Sequence, residues 1–305
     1  MRDAFSAALV KLGKEDSQVL LLTGDHGYAL FDDFRRECPN QYLNAGIAEQ
    51  NMVGMAAGLA RAGFRPIVYG LSAFIPVRVL EQIKLDVAHD QLPVIFIGDG
   101  AGFVYSHLGT SHQSTEDIAC TRAIPHLAIY SPADRFELTV CLELAYQAHA
   151  PVYFRMGKAD RGDVHRAIPA ITPGDLLEVK PGHAGEIAII ATGAMVRTAL
   201  DIALTEHPAA AVWSAPFIKP LNAAQVAALC RQNRALIVIE EHSIYGGLGS
   251  AIAEIATTTA PVKILRIGVN DRFSHHCGSY EYLLQEHGLD RTSISTRIQD
   301  FLKDA

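Results

Sequence analysis

Residues 44–70 read NAGIAEQNMVGMAAGLARAGFRPIVYG, and they place one carboxylate, Glu49, at the mouth of a glycine-rich apolar run. From Met52 to Ala60 every side chain is apolar or absent, so the run predicts a helix over 48–62 packed on nearly every side. A carboxylate drawn into such surroundings loses solvation unless a donor meets it, and acids held this way recur at catalytic sites. The helix dipole also favours an acidic residue at this position, so placement alone leaves both readings open. A short strand-like run follows at 66–69, which makes the stretch one turn of a βα alternation.

Working outward, the same alternation covers the chain. Strands are expected at 19–23, 42–44, 66–69, 94–97, 128–130 and 152–155, with helices at 48–62, 77–89 and 135–148. The last of these helices starts at the Ser-Pro-Ala-Asp turn of 131–134. A stretch rich in Gly, Pro and charge without sustained period then reads as a linker over 161–184, and a second βα series begins at EIAIIATGAMVRTALDIAL. The fold class is α/β, with two open, mostly parallel sheets flanked by helices in domains 1–160 and 185–305. GGLGS at 246–250 falls where a strand gives way to a helix. Its amides either bind an anion or form a tight turn that lets helix and strand pack closely.

Bulk properties narrow the function classes. The 305 residues are 49% hydrophobic and 19% charged, an ordinary globular composition, and a net charge of -7 without a basic block argues against nucleic acid. No apolar run approaches the ~18 residues of a membrane span, and the amphipathic N-terminal segment MRDAFSAALVKLGKEDS lacks the pattern of a secretory signal. Five scattered cysteines without C-x-x-C spacing read as reduced thiols of a cytoplasmic protein. Thirteen histidines show no spacing that sets ligands on one helix face, so no protein-only metal site is expected.

GIAEQ is followed in order by GFRPIVYGLSAF, EQIKLDVAHDQLPVIFIGDGAG, GTSHQSTEDIACTRAIPHLAIYSPAD and PVYFRMG. This series resembles the pyrimidine-binding domain of thiamine diphosphate enzymes of the transketolase and deoxyxylulose-phosphate synthase group, and the remainder resembles that family's C-terminal domain. The resemblance implies that Glu49 hydrogen-bonds a ring nitrogen of the cofactor's pyrimidine and makes its amino group a base. It implies that Phe74 stacks on the pyrimidine and that His112 contacts the substrate's reacting carbons. Asp25 matches an acidic or polar position near the cofactor, and it equally suits a cap of the next turn; neighbouring His26 either reaches substrate or faces solvent. Arg155 matches a phosphate-binding arginine, with Lys158 and Arg161 as helpers, although an arginine at a strand end is commonly a surface ion-pair residue.

Two departures shape the reading. Where the family pattern before the histidine has an aspartate that reads a substrate hydroxyl, this chain has Leu108, which accepts no hydrogen bond. Either His107 or Tyr105 reads that hydroxyl, or the donor sugar differs. The G-D-G run at 98–100 is a decoy for the family's metal motif, because it ends a strand of the pyrimidine domain and no Asn or Asp follows in 124–130. The resemblance therefore implies half an active site: the C-terminal subunit of a split transketolase, whose N-terminal partner subunit holds the diphosphate and Mg²⁺. The expected assembly is a heterotetramer acting on sugars or sugar phosphates. Gly54 and Gly58 would serve a symmetric contact between subunits or admit a neighbouring helix of the same chain. The competing readings are the β subunit of a thiamine-dependent 2-oxoacid dehydrogenase and a non-catalytic homologue. A dehydrogenase-type nucleotide site on GDGAG lacks the third glycine and the acidic partner.

Overall fold

The computed structural model describes residues 1–158 and 161–303, so the expected domain ends at 160 and 305 lie outside the described residues. Six strands of the first half are β1 (Val19–Thr23), β2 (Tyr42–Asn44), β3 (Arg65–Leu71), β4 (Ile95–Asp99), β5 (Ala128–Tyr130) and β6 (Val152–Met156). The second half adds β7 (Leu177–Lys180), β8 (Ile187–Ala191), β9 (Ala211–Ser214), β10 (Phe217–Lys219), β11 (Ala235–Ser243) and β12 (Lys263–Val269). They form a seven-stranded sheet in the order β10-β5-β6-β4-β3-β1-β2 and a five-stranded sheet in the order β12-β11-β8-β9-β7. Pairing is parallel except where β10 meets β5 and β7 meets β9. Strands β1, β4, β6 and β8 are buried along their whole length, as unbroken apolar strands must be when helices cover both faces of a sheet. No helix of the described residues is long and apolar enough to cross a membrane.

The division between the halves differs from the sequence reading in two places. The expected linker contains β7, whose residues pair antiparallel with β9 and so already belong to the second sheet. Strand β10 crosses back to close the edge of the first sheet beside β5. Both are short edge strands, and three or four residues leave little period to read.

The helix after β2 is Glu49–Arg61, and it is not packed all round. Met52, Val53, Ala56, Ala57 and Ala60 are buried, whereas Gln50, Asn51, Gly54, Gly58 and Arg61 form an exposed stripe. Glycine and alanine carry no polarity to mark a solvent face, which is why composition suggests burial throughout. A Cβ on Gly54 or Gly58 would touch nothing, so no neighbouring helix among the described residues uses them. The helix expected over 77–89 is a composite: a 3-10 turn at Val77–Val79, an α turn at Leu80–Gln82 and a π-helix at Ile83–Ala88. The Ser-Pro-Ala-Asp turn works as read, with Asp134 accepting from the amides of Phe136 and Glu137 at 2.9 Å each.

GGLGS already has an anion. The amides of Leu248 and Gly249 donate to the Glu240 carboxylate at 2.7 and 2.9 Å, so the helix N-terminus is filled from within the chain. Glu240 opens a charged run, Glu240-Glu241-His242, that β11 carries into the seam between the domains. Glu241 accepts from the Phe103 amide at 2.6 Å and from the Tyr280 hydroxyl at 2.5 Å. The Ala119 amide donates to His242 Nε2 at 3.2 Å, which leaves Nδ1 to donate to the Ser243 carbonyl at 2.8 Å and makes the ring neutral. Across the same seam Arg155 donates through Nε to Asp117 at 2.7 Å and through Nη2 to the Glu241 carbonyl at 2.9 Å. Burial opposes ionisation of Asp117, but the Arg155 guanidinium outweighs it and holds the carboxyl below its ordinary range.

Two outcomes follow for stability. Asp117→Ala leaves the Arg155 guanidinium buried without its counter-charge and should cost about 3–5 kcal/mol in urea unfolding. Burial lowers the His242 pKa to about 4, below the ~6.5 of an unfolded histidine. Its contribution is therefore complete above pH 6.5 and disappears as pH falls to about 4, a loss on the order of 3 kcal/mol. Buried Glu240 is raised to about 7 and runs the other way, losing stability as pH rises from 4.5. The informative measurement is thus the difference between the native chain and His242→Gln in unfolding series from pH 7.5 to 4.5, where the variant should lack the acid-side loss.

Candidate active site

The order β4-β3-β1-β2 sets the loops that follow these four strands side by side at the carboxyl edge of the first sheet, where open parallel sheets bind ligands. Asp25 and His26 follow β1, Glu49 follows β2, Phe74 follows β3, and His112 lies in the loop after β4. Phe74 is the hub. Its ring meets His112 edge-on at 5.2 Å and 65°, and His26 at 5.9 Å and 68°. The Arg78 guanidinium lies over the same ring, 3.9 Å from its centroid, and its Nη1 donates to Glu49 Oε1 at 2.9 Å. Glu49 is 5% exposed at the first turn of its helix, with Ala48 before it providing no side-chain cap.

Both loops are pinned from behind. The Ser72 amide donates to the Asp99 carbonyl at 2.7 Å, and the amides of Phe74 and Ile75 both donate to the Leu71 carbonyl at 2.8 Å. Gly98 permits this approach: a Cβ there would stand 2.5 Å from the Tyr153 hydroxyl and 3.0 Å from the Ile75 carbonyl. The His112 loop closes on itself through paired Gly102 and Ser114 amide-carbonyl bonds of 2.8 and 2.9 Å. Gly102, at φ +69°, lies so close to Glu241 that a Cβ would come within 2.2 Å of its carboxylate. Ser72 Oγ and Ser114 Oγ are 2.8 Å apart, and Tyr153 donates to Asp117 at 2.7 Å, so one buried network holds both loops.

The structure therefore gathers Glu49, Phe74, His112 and His26, and it sorts the remaining candidates. Asp25 is exposed at φ +61°, a conformation aspartate tolerates, and it lines a cleft of about 210 Å³ with His26, Tyr28, Tyr42 and Asn44. No amide of the following turn donates to it, so the cap reading has no support among the described residues. His107 is exposed in the turn Ser106–Leu108 and makes none of the ring contacts that unite the others. The Tyr105 hydroxyl is engaged by Asp99 at 3.2 Å, and Tyr69 donates to the same carboxylate at 2.8 Å. The aspartate of G-D-G is thus an acceptor for two tyrosines.

Arg155 requires a correction. It is 3% exposed and points into the domain seam, not toward the open edge, so it is neither a phosphate ligand at the cleft nor a surface ion pair. An arginine closing a strand reads the same in sequence whichever way the pleat turns it. Lys158 and Arg161 also face the second domain, over the Tyr280 ring at 5.4 and 6.0 Å. Among the residues to which the sequence assigns no role, Arg78 is the one nearest the chemistry. Its signal is a lone cation in the loop four residues after Phe74. For the seam, the signal is three ionisable residues closing the apolar run ALIVIEEH.

Residues 1–162 match the family described as transketolase, pyrimidine binding domain, and residues 177–294 match transketolase, C-terminal domain. The chain belongs to the transketolase family. It is 32% identical to one of the subunits of the apulose-4-phosphate transketolase of Phocaeicola vulgatus, covering 99% of this chain and 97% of that protein. It is 30% identical to a 6-deoxy-6-sulfo-D-fructose transketolase subunit of a Clostridium species, covering 96% and 92%. Among solved structures, one described as a split gene transketolase, inactive beta4 tetramer, superimposes with a TM-score of 0.88 at 31% identity, covering 98% and 96%. This transketolase-family chain thus aligns end to end with the C-terminal subunits of split transketolases.

Proposed function

We propose that the chain is the catalytic C-terminal subunit of a two-subunit, thiamine diphosphate-dependent transketolase that moves a two-carbon ketol unit from a ketose to an aldose. The observation that carries this reading is the buried Glu49 carboxylate beside the Phe74 ring, with His112 at the ring's edge. That pairing fits an aminopyrimidine, whose ring nitrogen shares a proton with a carboxyl group shielded from water and whose ring lies on a flat apolar face. Thiamine diphosphate, when bound, supplies the nucleophilic carbon that carries the two-carbon unit. Glu49 would hold the hydrogen bond at the pyrimidine nitrogen, and burial would keep water from competing for it. Phe74 would fix the plane of the ring. His112, with Nδ1 2.9 Å from Ser111 Oγ, would turn Nε2 toward the oxygens of the reacting carbons. Asp25 and His26 would flank the entrance.

The described residues contain no cluster of three His, Cys, Asp or Glu side chains suited to a metal ion. Because the chain is similar over nearly its whole length to single subunits of transketolases, we assign the diphosphate and Mg²⁺ to an N-terminal partner subunit, with a heterotetramer as the working assembly. The exposed Gly54 and Gly58 stripe and the exposed Ile47 and Tyr28 at the mouth would face neighbouring subunits. The solved tetramer of similar chains, described as inactive, agrees with a half-site that works only when completed. The named relatives act on a phosphorylated and a sulfonated sugar, which makes an anionic sugar the expected class. Five free cysteines suit a reducing compartment such as the cytoplasm.

Glu49→Gln should reduce turnover of the assembled enzyme by at least ~100-fold with unchanged circular dichroism; retention of more than a few per cent of activity refutes the role. The purified chain alone should show no transfer between sugar phosphates and should gain it when the co-purified partner is added. Full activity without a partner, or 2-oxoacid decarboxylation in place of transfer, would overturn the proposal.

A further inference from the structure

Arg78 makes two contacts that a cofactor would otherwise make. Its Nη1 donates to Glu49 at 2.9 Å, and its guanidinium plane covers Phe74 at 3.9 Å. A guanidinium is flat, cationic and edged with N–H donors, and so presents to a carboxylate and an aromatic ring much what an aminopyrimidine protonated at its ring nitrogen presents. We infer that Arg78 is a placeholder: it occupies the aminopyrimidine position in the free subunit and must swing outward before cofactor docks. The inference rests on the proposed assignment of Glu49 and Phe74 to the pyrimidine.

The exposures say which partner moves. The Glu49 side chain is 6% exposed and fixed at a helix start, whereas the Arg78 side chain is 45% exposed and reaches the pair from the solvent side. Withdrawal of Arg78 alone would strand a buried carboxylate, which is unfavourable unless an incoming group supplies both a donor and a flat face. Ligands that lack either feature therefore cannot replace Arg78. Arg78 thus selects as well as protects. A cofactor entering the free subunit must first break one half-exposed ion pair and one cation–π contact, which lowers its apparent affinity about tenfold.

The test compares thiamine diphosphate binding to the free native chain, Arg78→Ala and Arg78→Lys by isothermal titration calorimetry, with the native assembled complex alongside. Arg78→Ala should bind about tenfold tighter than native, and Arg78→Lys, which keeps charge but not planarity, should fall between. Urea unfolding provides a second reading, because Arg78→Ala should be less stable than native without ligand and recover at saturating cofactor. Equal or weaker binding by Arg78→Ala overturns the placeholder, as does undetectable binding by all three free chains when the complex binds. Failure of the native complex itself to bind thiamine diphosphate would instead remove the functional reading beneath it.

Discussion

The buried pair of Asp117 and Arg155 is the constraint on which the rest of the site depends. Two opposite charges removed from water are stable only with good geometry and additional hydrogen bonds, and here Tyr153 and the Glu241 carbonyl supply them. Because Asp117 starts the helix after the His112 loop and Arg155 lies near the end of β6, the pair ties that loop to the centre of the first sheet. Through Glu241 it also reaches the second domain. The seam is more than covalent continuity between two domains. Phe103, Ala119, Arg155 and Arg122 each bond a residue of the segment 241–246, so the second sheet acts as the back wall of the active loop.

Seen from the open edge, the same architecture explains why the functional side chains are loosely covered while their supports are not. Four parallel strands end side by side, and each contributes one residue from its following loop. Ser72, Ser114, Tyr153 and Asp117 beneath them are buried and mutually bonded, which fixes the loop stems. Above the stems, the Phe74 ring meets His112, His26 and Arg78. Rigid stems beneath an uncovered face are what a site completed by a second polypeptide requires. Preorganisation is in place before any ligand or subunit arrives.

Much of this is legible in the chain because the signals are periodic or strongly apolar. Strands β1, β2 and β5 lie where the β-branched runs place them, and Asp134 caps its helix as the turn chemistry requires. Glu49, Phe74 and His112 converge because a parallel sheet brings successive loops to one edge, a property of topology that motif order carries. What escapes has a common cause, namely side-chain direction. Arg155 reads as outward because the end of a strand has no pattern beyond it to set its face. Gly54 and Gly58 read as covered because residues without side chains carry no mark of solvent. The GGLGS reading stays open between an anion site and a tight turn because Glu240, the acceptor of its amides, precedes Leu248 by eight residues on another element.

The same geometry bears on how a split enzyme can store half of its active site. A buried carboxylate left without a donor would turn out toward water, which would cost the free subunit the arrangement it must later present. Arg78 resolves this by meeting Glu49 with a half-exposed charge while covering the Phe74 ring. An apolar cover could not serve, since it would satisfy Phe74 but leave Glu49 unpaired. A lysine would satisfy the charge but not the plane. A single arginine four residues after the phenylalanine does both, because the turn between them sets its guanidinium over the Phe74 ring and within reach of Glu49. The pair of contacts is therefore strong enough to preserve the pocket and exposed enough to be exchanged.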